Sequence, residues 1–276
     1  MRAKTVLWHV LWLAAVGVVL YPMIWLAFAS VKPPSEVLSS LNLFPSRVVL
    51  DGYRQGWEGA AGIGFGTFFL NSFIVAIASV VANVFSCTLA AYAFARLRFR
   101  FSGALFAFMI ATLMLPHHVT LIPQYVIFQQ AGLVNTFVPL VLPKLLATEA
   151  FFVFLIVQFM RGIPRELDEA ATIDGCGVYK TFWHVVLPLA KPALVTTSIF
   201  TFIWTWNDFF TQMVYLNDAD KFTVPLGLRL FVDTSSESNF GAMFAMSALA
   251  LVPIVAFFLA FQRLLVEGVS TSGLKG

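Results

Sequence analysis

From Phe101 to Pro143 the chain runs 43 residues without an Asp, Glu, Lys or Arg. A helix needs about 20 mostly apolar residues to cross the hydrocarbon core of a bilayer, and this stretch holds enough for two. Apolar runs of that length occur at Val6–Val31, Thr67–Ala95, Phe101–Phe128, Phe137–Met160, Pro192–Leu216 and Asn239–Gln262. The uncharged stretch divides at Gln129–Gln130 and Gly132–Asn135, where polar and turn-forming residues cluster. Period-2 alternation with regular turns, the signature of a membrane barrel, is absent. The pattern predicts an all-α polytopic membrane protein: six transmembrane helices in one domain over residues 1–276.

Composition agrees. Only 11% of residues are charged and 59% are hydrophobic, with a mean hydropathy of +0.86. A soluble domain carries roughly a quarter charged residues, so this surface is not made for water. Disorder, a disulfide scaffold and a nucleic-acid-binding module are excluded on the same grounds. The pI near 9.0 reflects a net charge of only +3 and does not argue for a polyanion partner. Cys87 stands in an apolar run and Cys176 in a polar one, so they lie at different depths and no disulfide is expected. The basic start Met1–Lys4 and the segment Ala27-Phe28-Ala29 resemble a signal peptide, but the apolar run Val6–Leu26 exceeds the 7–15 residues of such a core. It is read as a retained span.

Orientation follows from Lys and Arg in the connections. Segments 1–5, 96–103, 161–191 and 263–276 hold 11 in 58 residues; segments 32–66, 129–136 and 217–238 hold 5 in 65. The asymmetry places both termini in the cytoplasm. Outside, Lys32–Gly66 reads as an irregular loop with Pro33-Pro34 and six glycines between Gly52 and Gly66. Asn217–Ser238 reads as a solvated acidic loop with Asp218, Asp220, Asp233 and Glu237.

The segment from Arg161 to Lys191 is both long and patterned. Pro164 suits the first turn of a helix, and Glu166, Asp168 and Glu169 place negative charge at that helix's positive end. Leu167, Ala170, Ala171 and Asp174 share one face, mainly small, before Gly175 and Gly177 stop the helix. A second short helix carries Val178, Phe182 and Val185 on one face, and Pro188 and Pro192 mark the return to the membrane. On physics alone this is a hairpin shaped for close docking or an ordinary surface hairpin, with nothing to choose between them.

The residues also carry a resemblance. Glu169-Ala170-Ala171, three residues, Gly175, nine residues, Val185, one residue and Leu187-Pro188 resemble the EAA loop of ABC-importer permeases, with Val185 where that family usually has Ile. Ile173-Asp174-Gly175 and Leu187-Pro188-Leu189 are similar to the carbohydrate-uptake, maltose-permease-like branch. So are Trp206-Asn207-Asp208 and the ending Gly273-Leu274-Lys275-Gly276. The resemblance covers nearly the whole chain. It implies a permease subunit of the bacterial plasma membrane, working with a second permease, two cytoplasmic ATPase subunits and an extracytoplasmic solute-binding protein. It implies that Glu169, Ala170, Ala171, Asp174, Gly175, Leu187 and Pro188 couple to the ATPase, and that Gly273, Lys275 and Gly276 touch it. The implied cargo is a di- or oligosaccharide moved by alternating access, with a glycerophosphoryl compound as the alternative.

No Gly-x4-Gly-Lys-Ser/Thr segment occurs, and the outer glycines lack a following Lys-Ser or Lys-Thr, so no phosphate cradle is expected here. ATP and Mg are expected on the partner ATPase, and no cofactor in this chain. Asp208, 17 residues beyond Lys191, stands about 25 Å along a helix, toward the outer leaflet. An intramembrane acid is a functional candidate, or it is wetted at the interface. Beside it, Trp204, Trp206 and Asn207 suit a sugar path, although an outer aromatic belt explains the tryptophans equally. Lys144 and Glu149, five apart, pair poorly on a continuous helix, and Pro139 and Pro143 leave Lys144 near the outer surface. His117-His118 point to different helix faces, a poor metal site, and read as a packed pair in a helix kinked at Pro116. The rivals are an intramembrane enzyme using His117, His118 or Asp208, and an ion-coupled carrier, which would show an inverted repeat and discontinuous helices.

Overall fold

With no water in the bilayer core, an apolar segment must close its backbone hydrogen bonds within itself. The computed structural model describes residues 2–37, 39, 42–232 and 239–270, and among these it has helices and turns but no β-strand. The helices that matter are α1 (Arg2–Ala29), α2 (Asp51–Glu58), α3 (Phe65–Arg96), α4 (Ser102–Thr112), α5 (His117–Gln130) and α6 (Val138–Leu145). They continue with α7 (Ala150–Gly162), α8 (Glu166–Ile173), α9 (Val178–Leu189), α10 (Lys191–Asn207), α11 (Phe210–Tyr215) and α12 (Phe240–Ser270). The segments Thr5–Ala29, Phe65–Arg96, Val138–Gly162 and Phe240–Gln262 are each long and apolar enough to span a membrane. The pair α9–α10, bent by 72°, makes a fifth if counted as one span.

Three predicted spans are broken rather than continuous, and each break has a local cause. Phe101–Phe128 divides into α4 and α5 at Leu113–Pro116, where Pro116 is extended at ψ 130° and supplies no backbone N–H. Phe137–Met160 breaks between α6 and α7, where Ala147 takes a left-handed φ of 55°. Pro192–Leu216 breaks at Asp208, extended at ψ 108°, whose Oδ1 accepts the backbone N–H of Thr211 at 3.0 Å and so caps α11.

The chain forms two compact units, residues 1–69 with 224–253 and residues 70–223 with 254–276. In the first, none of α1's most apolar window is buried, as suits a helix facing lipid. Trp25 near its end packs edge-on against Phe244, 5.3 Å away. The segment read as an irregular outer loop contains α2, with Gly52 and Gly56 one turn apart. A Cβ at Gly52 would lie 2.6 Å from the carbonyl oxygen of Gly241, and one at Gly56 would lie 2.7 Å from Met246 Cγ. Glycines four apart let two backbones approach closely, so these glycines serve packing.

The second unit is centred on α3, α7 and the α9–α10 elbow. Its core holds Cys87, Ala91 and Ala95 from α3, Phe152, Ile156 and Met160 from α7, Phe182 and Val186 from α9, and Ala193 from α10. Where helices meet in lipid, close packing and interhelical hydrogen bonds replace the hydrophobic drive, at roughly 0.6–2 kcal/mol per bond. Two such bonds tie α3 to α10 and to α6: Asn83 Nδ2 donates to Thr201 Oγ1 at 2.7 Å, and Ser86 Oγ to the carbonyl of Lys144 at 2.6 Å.

Candidate functional site: a docking hairpin and a membrane cavity

The α8–α9 hairpin is built from local signals. Cys176 N–H bonds to Ala171 O at 2.8 Å and Gly175 N–H to Thr172 O at 3.0 Å. These are the two bonds of a Schellman cap, which places its C′ residue in the left-handed region. That residue is Gly175, at φ +80°, with no atom within 4 Å of the position a Cβ would take. The glycine is there for its backbone angle rather than for space.

Within α8 only Ala171 is buried, while Glu166, Glu169, Ala170 and Asp174 are exposed. Ile173 and Tyr179 flank the turn at 86% and 83% exposure. Large apolar side chains held out beside an acidic edge make this turn a candidate interaction surface. The base of the hairpin is fixed: Phe182 and Val186 are buried in the core, and Tyr92 Oη donates to Val178 O at 3.0 Å. Leu187 packs partly buried on that core, and Pro188 is exposed. The 20-residue pattern therefore divides into a presented turn, Glu169 to Gly175, and an anchored stem ending at Leu187-Pro188.

Asp168 departs from its expected role at the helix terminus. It turns to Arg96, the last residue of α3, with Oδ2 3.1 Å from Nη1. The sequence held no local sign of this, because the partners lie 72 positions apart.

A cavity of about 940 Å³ opens in the same unit. Trp204, Asn207 and Asp208 line it, whereas Trp206 is 2% exposed and packs on Phe73 at 4.8 Å and Phe202 at 5.6 Å. The aromatic floor is Trp204, half exposed, with Phe151 at 5.8 Å. Polar groups around it come from Thr120, Gln124, Thr148 and Thr205. Lys144 and Glu149 also line the cavity, 3.7 Å apart, and Lys144 Nζ donates to Thr205 Oγ1 at 3.2 Å. Lys144 is thus a wall of the cavity rather than a surface lysine, and the break at Ala147 brings together two residues that a straight helix would separate. The side chain of His117 and the tail residues Gly273, Lys275 and Gly276 lie outside the described residues. His118 sits 5.0 Å from the Phe210 ring.

An aromatic-floored cavity with a few polar and charged groups, set among apolar helices of membrane-spanning length, is the architecture of a membrane permease. Residues 82–271 match the family described as binding-protein-dependent transport system inner membrane component, and the chain belongs to that family. It is 32% identical to the arabinooligosaccharides transport system permease protein AraQ of Halalkalibacterium halodurans, over 96% of each chain. It is 30% identical to the diacetylchitobiose uptake system permease protein NgcG of Streptomyces coelicolor, over 98% of this chain and 86% of that one. In fold it is similar to a chain of a bacterial ABC transporter involved in the import of the acidic polysaccharide alginate. The TM-score there is 0.82 at 22% identity, covering 95% of this chain and 96% of that one. The chain is thus an inner-membrane permease component of an ABC importer and not itself a catalytic subunit.

Proposed function

We propose that this chain carries a neutral di- or oligosaccharide inward by ATP-driven alternating access. It pairs with a second permease, two cytoplasmic ATPase subunits and an extracytoplasmic solute-binding protein. The observation that carries the reading is the α8–α9 hairpin: a capped turn presents Glu169, Ala170 and Ile173 from a buried stem. ATP and Mg bind the ATPase, whose closure moves the hairpin; the helices around the cavity then open outward to receive sugar. Gly273, Lys275 and Gly276 add a second contact with the ATPase.

The cavity supports the cargo class. Trp204 offers an aromatic face to the apolar side of a pyranose, and Asn207, Gln124 and Thr148 offer amide and hydroxyl partners to its hydroxyls. Its charged lining residues are Lys144, Glu149 and Asp208, one cation against two acids. That balance disfavours a glycerophosphoryl anion, while sugar-transporting relatives favour the neutral cargo.

Docking is tested by Ala170→Asp. A charge buried without a partner at an interface costs about 3–5 kcal/mol, so the ATPase should no longer co-purify with the permease. Full co-purification with normal uptake would remove the hairpin as the docking site. Cargo is tested separately, by screening the importer's solute-binding protein against arabinotriose, diacetylchitobiose, trehalose and the anion glycerol 3-phosphate. Preference for glycerol 3-phosphate would overturn the sugar.

A further inference from the structure

The bond between Asp168 and Arg96 joins the docking helix to a spanning helix, and its surroundings are unusually closed for a loop contact. The Arg96 side chain is 4% exposed and that of Asp168 25%. Arg96 Nη2 also donates to Ile163 O at 2.9 Å, so one guanidinium holds both the end of α7 and the body of α8. A second cation repeats the arrangement in reverse: Arg165, at the start of α8, donates from Nη2 to Ala95 O at 3.3 Å. Arg96 Nε and Asp168 Oδ1 are buried and find no hydrogen-bond partner among the described residues. A buried pair left short of partners is poor evidence of stability, because taking both charges from water costs about as much as their attraction returns. Net stability is therefore not what the pair supplies, and its position gives it another use.

We propose that Arg96 and Asp168 are positioning residues that make the docking hairpin and α3 move as one body. The hairpin is tied to α3 at both of its helices, α8 through Arg96 and α9 through Tyr92 Oη. Higher along α3, Ser86 holds the carbonyl of Lys144 and Asn83 holds Thr201. Lys144 is a wall of the cavity. A displacement of α8 by the ATPase therefore reaches the cavity through one rigid helix and two hydrogen bonds. The proposal rests on the docking reading above and deepens it. Docking needs the exposed turn, Glu169 to Gly175, and coupling needs the bridge behind it.

The two are separated by Asp168→Asn, which keeps the side chain's shape and removes its charge. The assembled transporter is purified in nanodiscs with Cys176→Ser and a reporter, Leu146→Cys, on a cavity residue 67% exposed. Fluorescein maleimide labelling at the reporter is timed without nucleotide and with ATP plus vanadate, so no cargo need be known. In the parent the two rates should differ. In Asp168→Asn the ATPase should still co-purify and hydrolyse ATP within about twofold. The nucleotide-dependent rate ratio should fall about tenfold toward unity, within the span of site-to-site coupling. Arg96→Asp combined with Asp168→Arg should restore it. An unchanged ratio in Asp168→Asn would overturn the proposal. So would loss of the ATPase from that variant, because the bridge would then serve docking. Failure of both the single variant and the reversed pair to reach the membrane would make the bridge a folding element and overturn it equally. If instead the Ala170→Asp complex keeps its ATPase and its rate ratio, the docking reading itself fails, whatever Asp168 does.

Discussion

Gly175 shows what one residue contributes to the hairpin. At φ +80° an L side chain costs about 1–2 kcal/mol, and no neighbouring atom adds a clash. The expected order is set by backbone tolerance alone: Gly175→Asn mild, Gly175→Ala intermediate, Gly175→Val worst, since β-branched residues tolerate that region least. ATPase affinity for the purified permease, measured by titration, should fall by about five- to thirtyfold for Val and little for Asn. Equal affinity for all three would show that the turn is not held in this conformation when docked. The glycine was legible in the sequence because a helix C-cap is a local signal. The partner of Asp168 was not, because local rules offer an acid in the first turn only the helix dipole, and Arg96 outcompetes it from a distant part of the chain.

At the scale of elements, the apolar runs located the helices well and their continuity badly. Proline at 116, a left-handed alanine at 147 and an acid at 208 interrupt three runs whose hydropathy is unbroken. Hydropathy measures transfer into lipid, and it does not register a turn whose backbone groups are met by neighbouring protein. That is why Lys144 and Glu149, read as poorly matched on a straight helix, form a pair across the α6–α7 break. Ala147→Gly should relieve the left-handed strain and stabilise the purified chain by about 1 kcal/mol. Ala147→Val should destabilise it by more, both read as shifts in thermal midpoint in detergent. The opposite order would place the break elsewhere. On the connection after α11, Asn135 Nδ2 donates to Asp218 Oδ2 at 2.5 Å and Lys221 Nζ at 3.1 Å. Asn135, then Lys221, hold that carboxyl below its usual pKa. The latch is therefore complete above the ordinary carboxylate value and is lost as pH falls through the lower folded value. Hydrogen-exchange protection at residues 217–221, corrected for intrinsic rates, should drop only in that acid window. It should stay flat in Asp218→Asn.

For the whole molecule the open quantity is direction. The excess of Lys and Arg in segments 96–103 and 161–191 predicts that the α8–α9 hairpin faces the cytoplasm, where an ATPase could reach it. The opposite orientation would present Glu169, Ala170 and Ile173 to the outside, where no ATP is available, and would leave Arg96 and Asp168 joining α3 to an outer loop. Docking, coupling and cargo entry thus share one topological premise, and it can be checked without any partner. A cysteine is introduced at Ser102, the start of α4, or at Ser39, in the segment before α2, with Cys87 and Cys176 replaced. Intact cells are treated with a membrane-impermeant maleimide, and then permeabilised cells are treated in the same way. Ser39→Cys should label in intact cells, and Ser102→Cys only after permeabilisation. Labelling of Ser102→Cys in intact cells as fast as Ser39→Cys would invert the chain and detach the hairpin from any cytoplasmic ATPase.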